Sequence, residues 1–450
     1  MALQNKKKAV TALAVNVSRL LLAAVLVISG FVKAVDPMGL SYKLAEYAGA
    51  FGIDSIGEGW LLFAAIMLSA AEFVLGLLLL MGVYNRIVTM FIFVFFLFFT
   101  PFTLILALWN PVRNCGCFGD AFVMSNWATF GKNLLLLMFA TLCCFMNRLF
   151  IRKMSLVNRW MVPLFAVCYI ALLEGVSLMY LPVIDFRPFA VGSDIRAAVE
   201  DVPSVQKNIY KFEKGGQVME FDELTYPDTT WNYLGSRSEI VKPGVPAKVA
   251  DFAFLDADGE DYAPQMLSDT GYVCLLISSN LEMADESRVD KINDLYDYCQ
   301  ENGFPFYAAT SSDEDAVERW CKRTGAEYSL LWADEIVLKT IVRANPGVLL
   351  LKDGVVKGKW NVSDLPSVER ISVSPTRMPD GVRSVYTYIR GWKLWAVLFL
   401  VPLFSIMFID MLTAAVRCLL RYLRNRKERL KRMIIDKDEN TVDINNNTNL

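Results

Sequence analysis

A chain of 450 residues has room for more than one domain, and with 54% hydrophobic and 20% charged residues it is too apolar for one soluble globule of ordinary composition. A net charge of −2 argues against a nucleic-acid partner, which requires a basic face. The absence of histidine excludes imidazole catalysis, histidine-ligated haem and the common zinc sites, so no metal site is expected.

The first apolar run, about residues 13–35, follows Lys6, Lys7 and Lys8 as a signal peptide would. No small-residue cleavage motif follows it, and it reads as an uncleaved first helix. Further runs at about 60–82, 87–110, 129–147 and 160–182, and a sixth near 393–415, each approach the ~20 residues that a helix needs to cross ~30 Å of hydrocarbon. Basic residues mark one side of this array: Lys6 to Lys8, Arg86, Arg148, Arg152, Lys153 and Arg159, and the cluster from Arg417 to Arg432. The intervening loops are acidic or neutral. With six crossings, both termini are expected in the cytoplasm of a bacterium, and the loop 111–128 and the segment 183–391 on the periplasmic side of the inner membrane. The lipid bilayer is the first partner implied.

Residues 183–246 read as a linker and a β-hairpin extension, in which Tyr210 and Phe212 alternate ahead of Gly215-Gly216, Met219 and Phe221 alternate after it, and Trp231 and Tyr233 mark a third strand. From 247 to 365 the pattern becomes α/β. Strands are predicted at 251–255, 272–277, 305–309 and 328–332, helices at 284–302, 313–324 and 334–342, and a hairpin at 348–351/355–360 around Asp353-Gly354. Residues 366–391 form a second linker, 392–416 the sixth helix, and 417–450 a basic tail with a disordered asparagine-rich end. The fold class expected is therefore a polytopic α-helical membrane bundle, residues 1–182 and the sixth helix, carrying an α/β extracytoplasmic domain.

Charged residues inside apolar runs include Arg19, Lys33, Glu72 and Glu174. Charge there is costly and faces a protein interior or a polar cavity. Glu72 is expected to pair with Arg19 or Lys33 and tie the bundle together; a proton-handling role is the alternative.

Over about residues 15–150 the chain resembles the DoxX/MauE-type membrane proteins. The resemblance is carried by Arg19-Leu20-Leu21-Leu22, Ser29-Gly30-Phe31-Val32-Lys33, Asp36-Pro37, Glu72, the run from Gly76 to Gly82, Arg86, and Cys115-Gly116-Cys117-Phe118-Gly119-Asp120. Residues from about 247 to 362 resemble thioredoxin/TlpA-type domains. Arg343-Ala344-Asn345-Pro346 stands where that family has its cis-proline loop, which implies Asn345 and Pro346 as a docking loop for a peptide strand. Where the family carries Cys-x-x-Cys, this chain has Ser278-Ser279-Asn280-Leu281-Glu282-Met283, and no thiolate is available there. The resemblance to both families also implies a role beside a thioredoxin-like protein in maturing disulfide-rich exported enzymes.

Two readings of function follow. In the first, the membrane bundle presents a degenerate thioredoxin-like domain that binds an exported protein or partner subunit, and the chain is an assembly or maturation factor. In the second, Cys115 and Cys117, a Cys-x-Cys pair in an outward loop, cycle between dithiol and disulfide with quinone or a separate thioredoxin. No other cofactor is indicated. Whether the chain is an enzyme stays open between the two. The remaining cysteines, among them Cys143, Cys144, Cys274, Cys299 and Cys321, are expected to pack as small apolar side chains.

Overall fold

The computed structural model describes residues 2–53, 55–112, 116, 118–151, 154–201, 204–222, 230–242, 244, 247, 249, 251–368 and 391–447. The chain divides into two units, residues 1–184 with 389–450, and residues 185–388.

The first unit is helical. It comprises α1 (Ala2–Val35), α2 (Pro37–Ala50), α3 (Glu58–Met81), α4 (Asn85–Trp109), α5 (Asn126–Phe145), α6 (Met161–Met179) and a C-terminal helix (Trp392–Asn447). Among the described residues, all of these but α2 are long and apolar enough to cross a membrane, six helices in all. The short α2 occupies what the sequence reads as a loop. Asp36 caps it by accepting a hydrogen bond from the Gly39 amide, and Pro37 sits at its first position, where a missing N–H costs nothing. Where the asparagine-rich end predicts no ordered element, the backbone continues as helix to Asn447, because no proline or glycine interrupts the run behind the last span.

Two glycines set the closest approach in the bundle. A Cβ on Gly76 would sit 2.7 Å from the Val27 backbone nitrogen, and one on Gly30 would overlap the Phe73 backbone, so α1 and α3 touch main chain to main chain. The C-terminal helix joins this bundle through aromatic packing: Phe399 lies 5.3 Å from Tyr169 and 5.9 Å from Phe73, and the Tyr169 hydroxyl donates to the Trp395 carbonyl at 3.1 Å. Lower on the same helix, the buried Asp410 accepts from the Ser155 amide at 3.0 Å and from Asn158 Nδ2 at 2.9 Å.

The second unit holds two short helices, α7 (Arg196–Val199) and α8 (Ala263–Ser268), three longer ones and two sheets. Strands β1 (Val205–Lys214), β2 (Gln217–Asp222) and β3 (Asn232–Lys242) form an antiparallel sheet in the order β2-β1-β3, turning at Gly215-Gly216 as the alternation predicts. The α/β part places β4 (Tyr272–Ser278), β5 (Phe306–Thr310), β6 (Leu330–Trp332), β7 (Gly347–Lys352) and β8 (Val355–Asn361) in the order β6-β5-β4-β7-β8. The β6-β5-β4 side is parallel and the β4-β7-β8 side antiparallel. With helices α9 (Val289–Asn302), α10 (Glu314–Thr324) and α11 (Glu335–Ile341) following the strands, this is a thioredoxin-like domain. The stripe Val289, Ile292, Leu295 and Cys299 of α9 is buried against it.

Two local expectations differ. Residues 251–255 make a bridge at Leu255 to Trp332 rather than a strand, because Asp256 Oδ1 gathers the amides of Asp258 and Glu260 and bends the chain away. Helix α9 begins at Val289 rather than 284, since the Asp285 amide is drawn to the Asn345 carbonyl at 2.9 Å. A buried charge cluster ties the start of this unit to β8. Asp185 accepts from Arg187 Nε at 2.8 Å and from Lys359 Nζ at 2.8 Å. Burial alone would raise the Asp185 carboxyl, but Arg187 and Lys359 outweigh it and hold the group well below the usual carboxylate range. Two cations share that one anion, so burial and Arg187 push Lys359 below the ordinary lysine range.

Gly76→Leu is expected to force α1 and α3 apart and to cost roughly 1–3 kcal/mol or more. Gly131→Leu, at a position with open space around it, is expected to leave the unfolding midpoint unchanged. Thermal unfolding of the purified full-length variants in detergent checks this; equal midpoints would show that the helices have room to give.

Candidate functional site

Helix α1 brings Ser29 and Lys33 to one face, one turn apart, and α3 presents Glu72 opposite them because the glycine contacts draw the two backbones together. Lys33 Nζ lies 2.5 Å from Glu72 Oε1 and 3.1 Å from Ser29 Oγ, and Ser29 Oγ donates to Glu72 Oε2 at 2.6 Å. All three side chains are buried, with Lys33 6% and Glu72 4% exposed. Of the two cations weighed for Glu72, Lys33 is therefore the partner. Arg19 is elsewhere: its Nη1 donates to the Ile151 carbonyl at 3.0 Å. Glu174, on α6, accepts from Ser69 Oγ of α3 at 2.5 Å.

Beside the Lys33–Glu72 pair lies a cavity of about 250 Å³. Phe95, Phe96, Phe99 and Phe102 of α4 form one wall, and Lys132 and Asn133 of α5 border it. Asn133 is held by the Thr103 hydroxyl, which accepts from its Nδ2 at 3.3 Å. The other edge is made by α2, through Leu40, Leu44 and Tyr47, and by Gly116. The Gly116 amide donates to the Tyr47 hydroxyl at 3.2 Å, and Tyr47 meets Phe102 edge to face at 5.7 Å between centroids. A Cβ at Gly116 would stand 3.0 Å from Lys43 Cγ, so a larger residue there would require the Lys43 side chain to shift. Cys115 and Cys117, the candidate redox pair, lie outside the described residues, but each is joined to Gly116 by a single peptide bond. The chemistry of the lining suits a flat, apolar ligand whose polar atoms reach Lys33, Glu72 or Ser29.

In the thioredoxin-like domain the Asn345–Pro346 peptide bond is cis. Pro346 itself is buried, and the atoms of Asn345 are engaged within the domain. Ser278 Oγ donates to Asn345 Oδ1 at 2.7 Å, Asn345 Nδ2 donates to the Asn280 carbonyl at 2.7 Å, and the Asn345 carbonyl takes the Asp285 amide. Asn280 Oδ1 accepts in turn from the amides of Glu282 and Met283. The loop after β4 is thus clasped to the proline loop by amides and hydroxyls, and within the stretch Ser278–Met283 the exposed residues are Glu282 and Met283, the latter 64% exposed. Cys274 of β4 and Cys299 of α9 meet in the core, sulfur to sulfur at 3.6 Å. Their contact was not legible from spacing, since it depends on how α9 crosses the sheet. The hydrogen bond between them, with burial second, pushes the Cys274 thiol well above its usual range, which disfavours the nucleophilic thiolate.

Residues 11–146 match the family model of the methylamine utilisation protein MauE, and every residue lining the cavity falls inside that stretch. Residues 207–243, essentially the three-stranded sheet, match a domain of unknown function, DUF8463. Comparison with the curated proteins gives no match. Among solved structures, a solution structure of a proposed protein disulfide isomerase from Bacteroides thetaiotaomicron is similar at 17% identity over 27% of this chain and 80% of its own, with a TM-score of 0.22. At that score the likeness carries no argument; the strand order of the α/β part carries the fold.

Removing one member of the buried pair leaves the other charge uncompensated. Glu72→Ala is expected to lower stability by about 3–5 kcal/mol, whereas the double change Lys33→Leu with Glu72→Leu is expected to recover most of the loss. Unfolding midpoints of the full-length chain measure both. A double variant that is stable yet inactive in vivo would assign the pair to function, and one that is active would assign it to the bundle alone.

Proposed function

We propose that this chain is a membrane-anchored assembly or maturation factor for an exported polypeptide or a partner subunit. The observation that carries this reading is the clasp around Asn345. At the place where thioredoxin-like domains hold their dithiol, the loop from Ser278 to Met283 offers no thiol and is fixed to the proline loop by hydrogen bonds. Such a surface is suited to holding a partner rather than exchanging electrons with it. In this reading the partner rests on the exposed Glu282–Met283 edge, next to the Asn345–Pro346 loop that the sequence offers for docking, whose Asn345 carbonyl takes the Asp285 amide. The distribution of basic residues supports a bacterial inner-membrane location with both termini cytoplasmic and this domain periplasmic. The match to a methylamine-utilisation protein is consistent with an accessory role in enzyme maturation.

A second reading is favoured by the cavity that ends at Gly116. If Cys115 and Cys117 cycle, their two thiols form one S–S bond and release two electrons and two protons, which a quinone in that cavity would take up to become quinol. A separate thioredoxin would instead restore or remove the disulfide by thiol exchange.

A photo-crosslinking residue at Met283 in the full-length chain is expected to yield an adduct with one exported polypeptide, and the same probe at Lys357 on β8 to yield none. Equal labelling at both positions, or none at Met283, would remove the first reading. For the second, thiol trapping in intact cells is expected to find Cys115 and Cys117 partly oxidised, with the oxidised fraction falling when quinone is depleted. A pair fixed in one redox state, together with full activity of the double serine variant, would leave the maturation reading alone.

A further inference from the structure

The α3–α4 turn and the α5–α6 connection carry cations, Arg86 at the first and Arg148 and Arg159 on the second, that the cavity at Gly116 does not use. Between this turn and the α5–α6 connection lies a second cavity, of about 440 Å³. Arg86, Arg148 and Arg159 line it, and no acidic side chain is among its described lining residues. Arg159 rests over the Tyr84 ring at 4.7 Å, yet none of the three guanidinium groups is hydrogen-bonded or ion-paired among the described residues.

A fourth cation stands directly behind the cavity wall. Arg19 is 2% exposed, and its guanidinium lies 5.2 Å over the ring of Phe150 and against Gly82, two residues that line the cavity. Beyond its bond to the Ile151 carbonyl, Arg19 meets no carboxylate among the described residues, and its buried Nε has no hydrogen-bond partner. Gly82 makes this position possible, since its left-handed backbone ends α3 and any Cβ there would come 3.2 Å from Arg19 Nη1. A buried arginine without an acid, backed onto a concavity ringed by three more, is a site built for an anion. Fixing topology requires basic residues at helix ends, but it does not require them to converge on one cavity.

The remaining lining chooses among anions. Ile87, Met154 and Leu156 give the cavity an apolar side, and it opens where α3 and α5 end and α4 and α6 begin, the depth of a lipid headgroup. Asn85 Oδ1, buried and without a partner, is an acceptor that a headgroup hydroxyl would satisfy. We propose that this cavity binds the phosphodiester headgroup of an anionic phospholipid of the phosphatidylglycerol type. The phosphate lies among the arginines, the glycerol hydroxyl on Asn85, and the acyl chains along the apolar side.

The test is native mass spectrometry of the full-length chain, released from micelles containing phosphatidylglycerol and phosphatidylcholine. Retention of one phosphatidylglycerol is expected, and the triple change Arg86→Gln, Arg148→Gln, Arg159→Gln is expected to weaken it by roughly ten- to hundredfold. Arg421→Gln, Arg424→Gln, Arg426→Gln, which removes the same charge from the C-terminal helix, is expected to leave it unchanged. Asn85→Leu is expected to reduce the preference for phosphatidylglycerol over phosphatidate. Equal loss in both triple variants would overturn the site in favour of general surface charge. Displacement of the lipid by inorganic phosphate at millimolar concentration would overturn the lipid and leave a soluble phosphate as the ligand.

Discussion

The contact between α1 and α3 is the constraint on which the membrane half depends. Gly30 and Gly76 allow the two backbones to meet, and that approach places Lys33 within 2.5 Å of Glu72 in a buried setting. Each charge is tolerable only because the other is there, with Ser29 bonded to both. Once α1 and α3 are fixed in register, the aromatic face of α4 and the polar end of α5 close a cavity around the pair, and α2 completes its edge. The same two helices hold Arg19 beside Gly82 at the opposite end of the bundle. One close packing event therefore positions both concavities of the unit.

The thioredoxin-like domain solves a different problem. Its sheet order and the cis bond before Pro346 set the frame, and serine and asparagine hydrogen bonds hold the end of β4 to the proline loop. Of the two thiols that meet in the core, Cys274 and Cys299, the hydrogen bond between them and burial disfavour the thiolate of Cys274.

Much of this was legible in residue order. Six apolar runs of spanning length announce six helices, since hydrocarbon thickness is a length that sequence can be measured against. The hairpin at Gly215-Gly216 and the β-α alternation after residue 270 follow from local periodicity. Local chemistry also set the limits: the amides gathered by Asp256 and the pull of Asn345 on Asp285 erased one predicted strand and shortened one helix.

By itself, then, the sequence determined that the chain is a membrane bundle with an α/β domain, that imidazole chemistry is absent, and that charges such as Arg19, Lys33, Glu72 and Glu174 must be accommodated inside apolar helices. The tertiary structure alone decided which charges meet. Lys33 and Arg19 are both on α1 and both offered partners for Glu72, but they lie 14 positions apart along the helix, some 21 Å at 1.5 Å per residue. Only the register set by Gly30 and Gly76 determines which of them reaches α3 at the level of Glu72. The contact of Cys274 with Cys299, the burial of Pro346 and the convergence of Arg86, Arg148 and Arg159 are of the same kind. They depend on how distant segments cross, which no local pattern records.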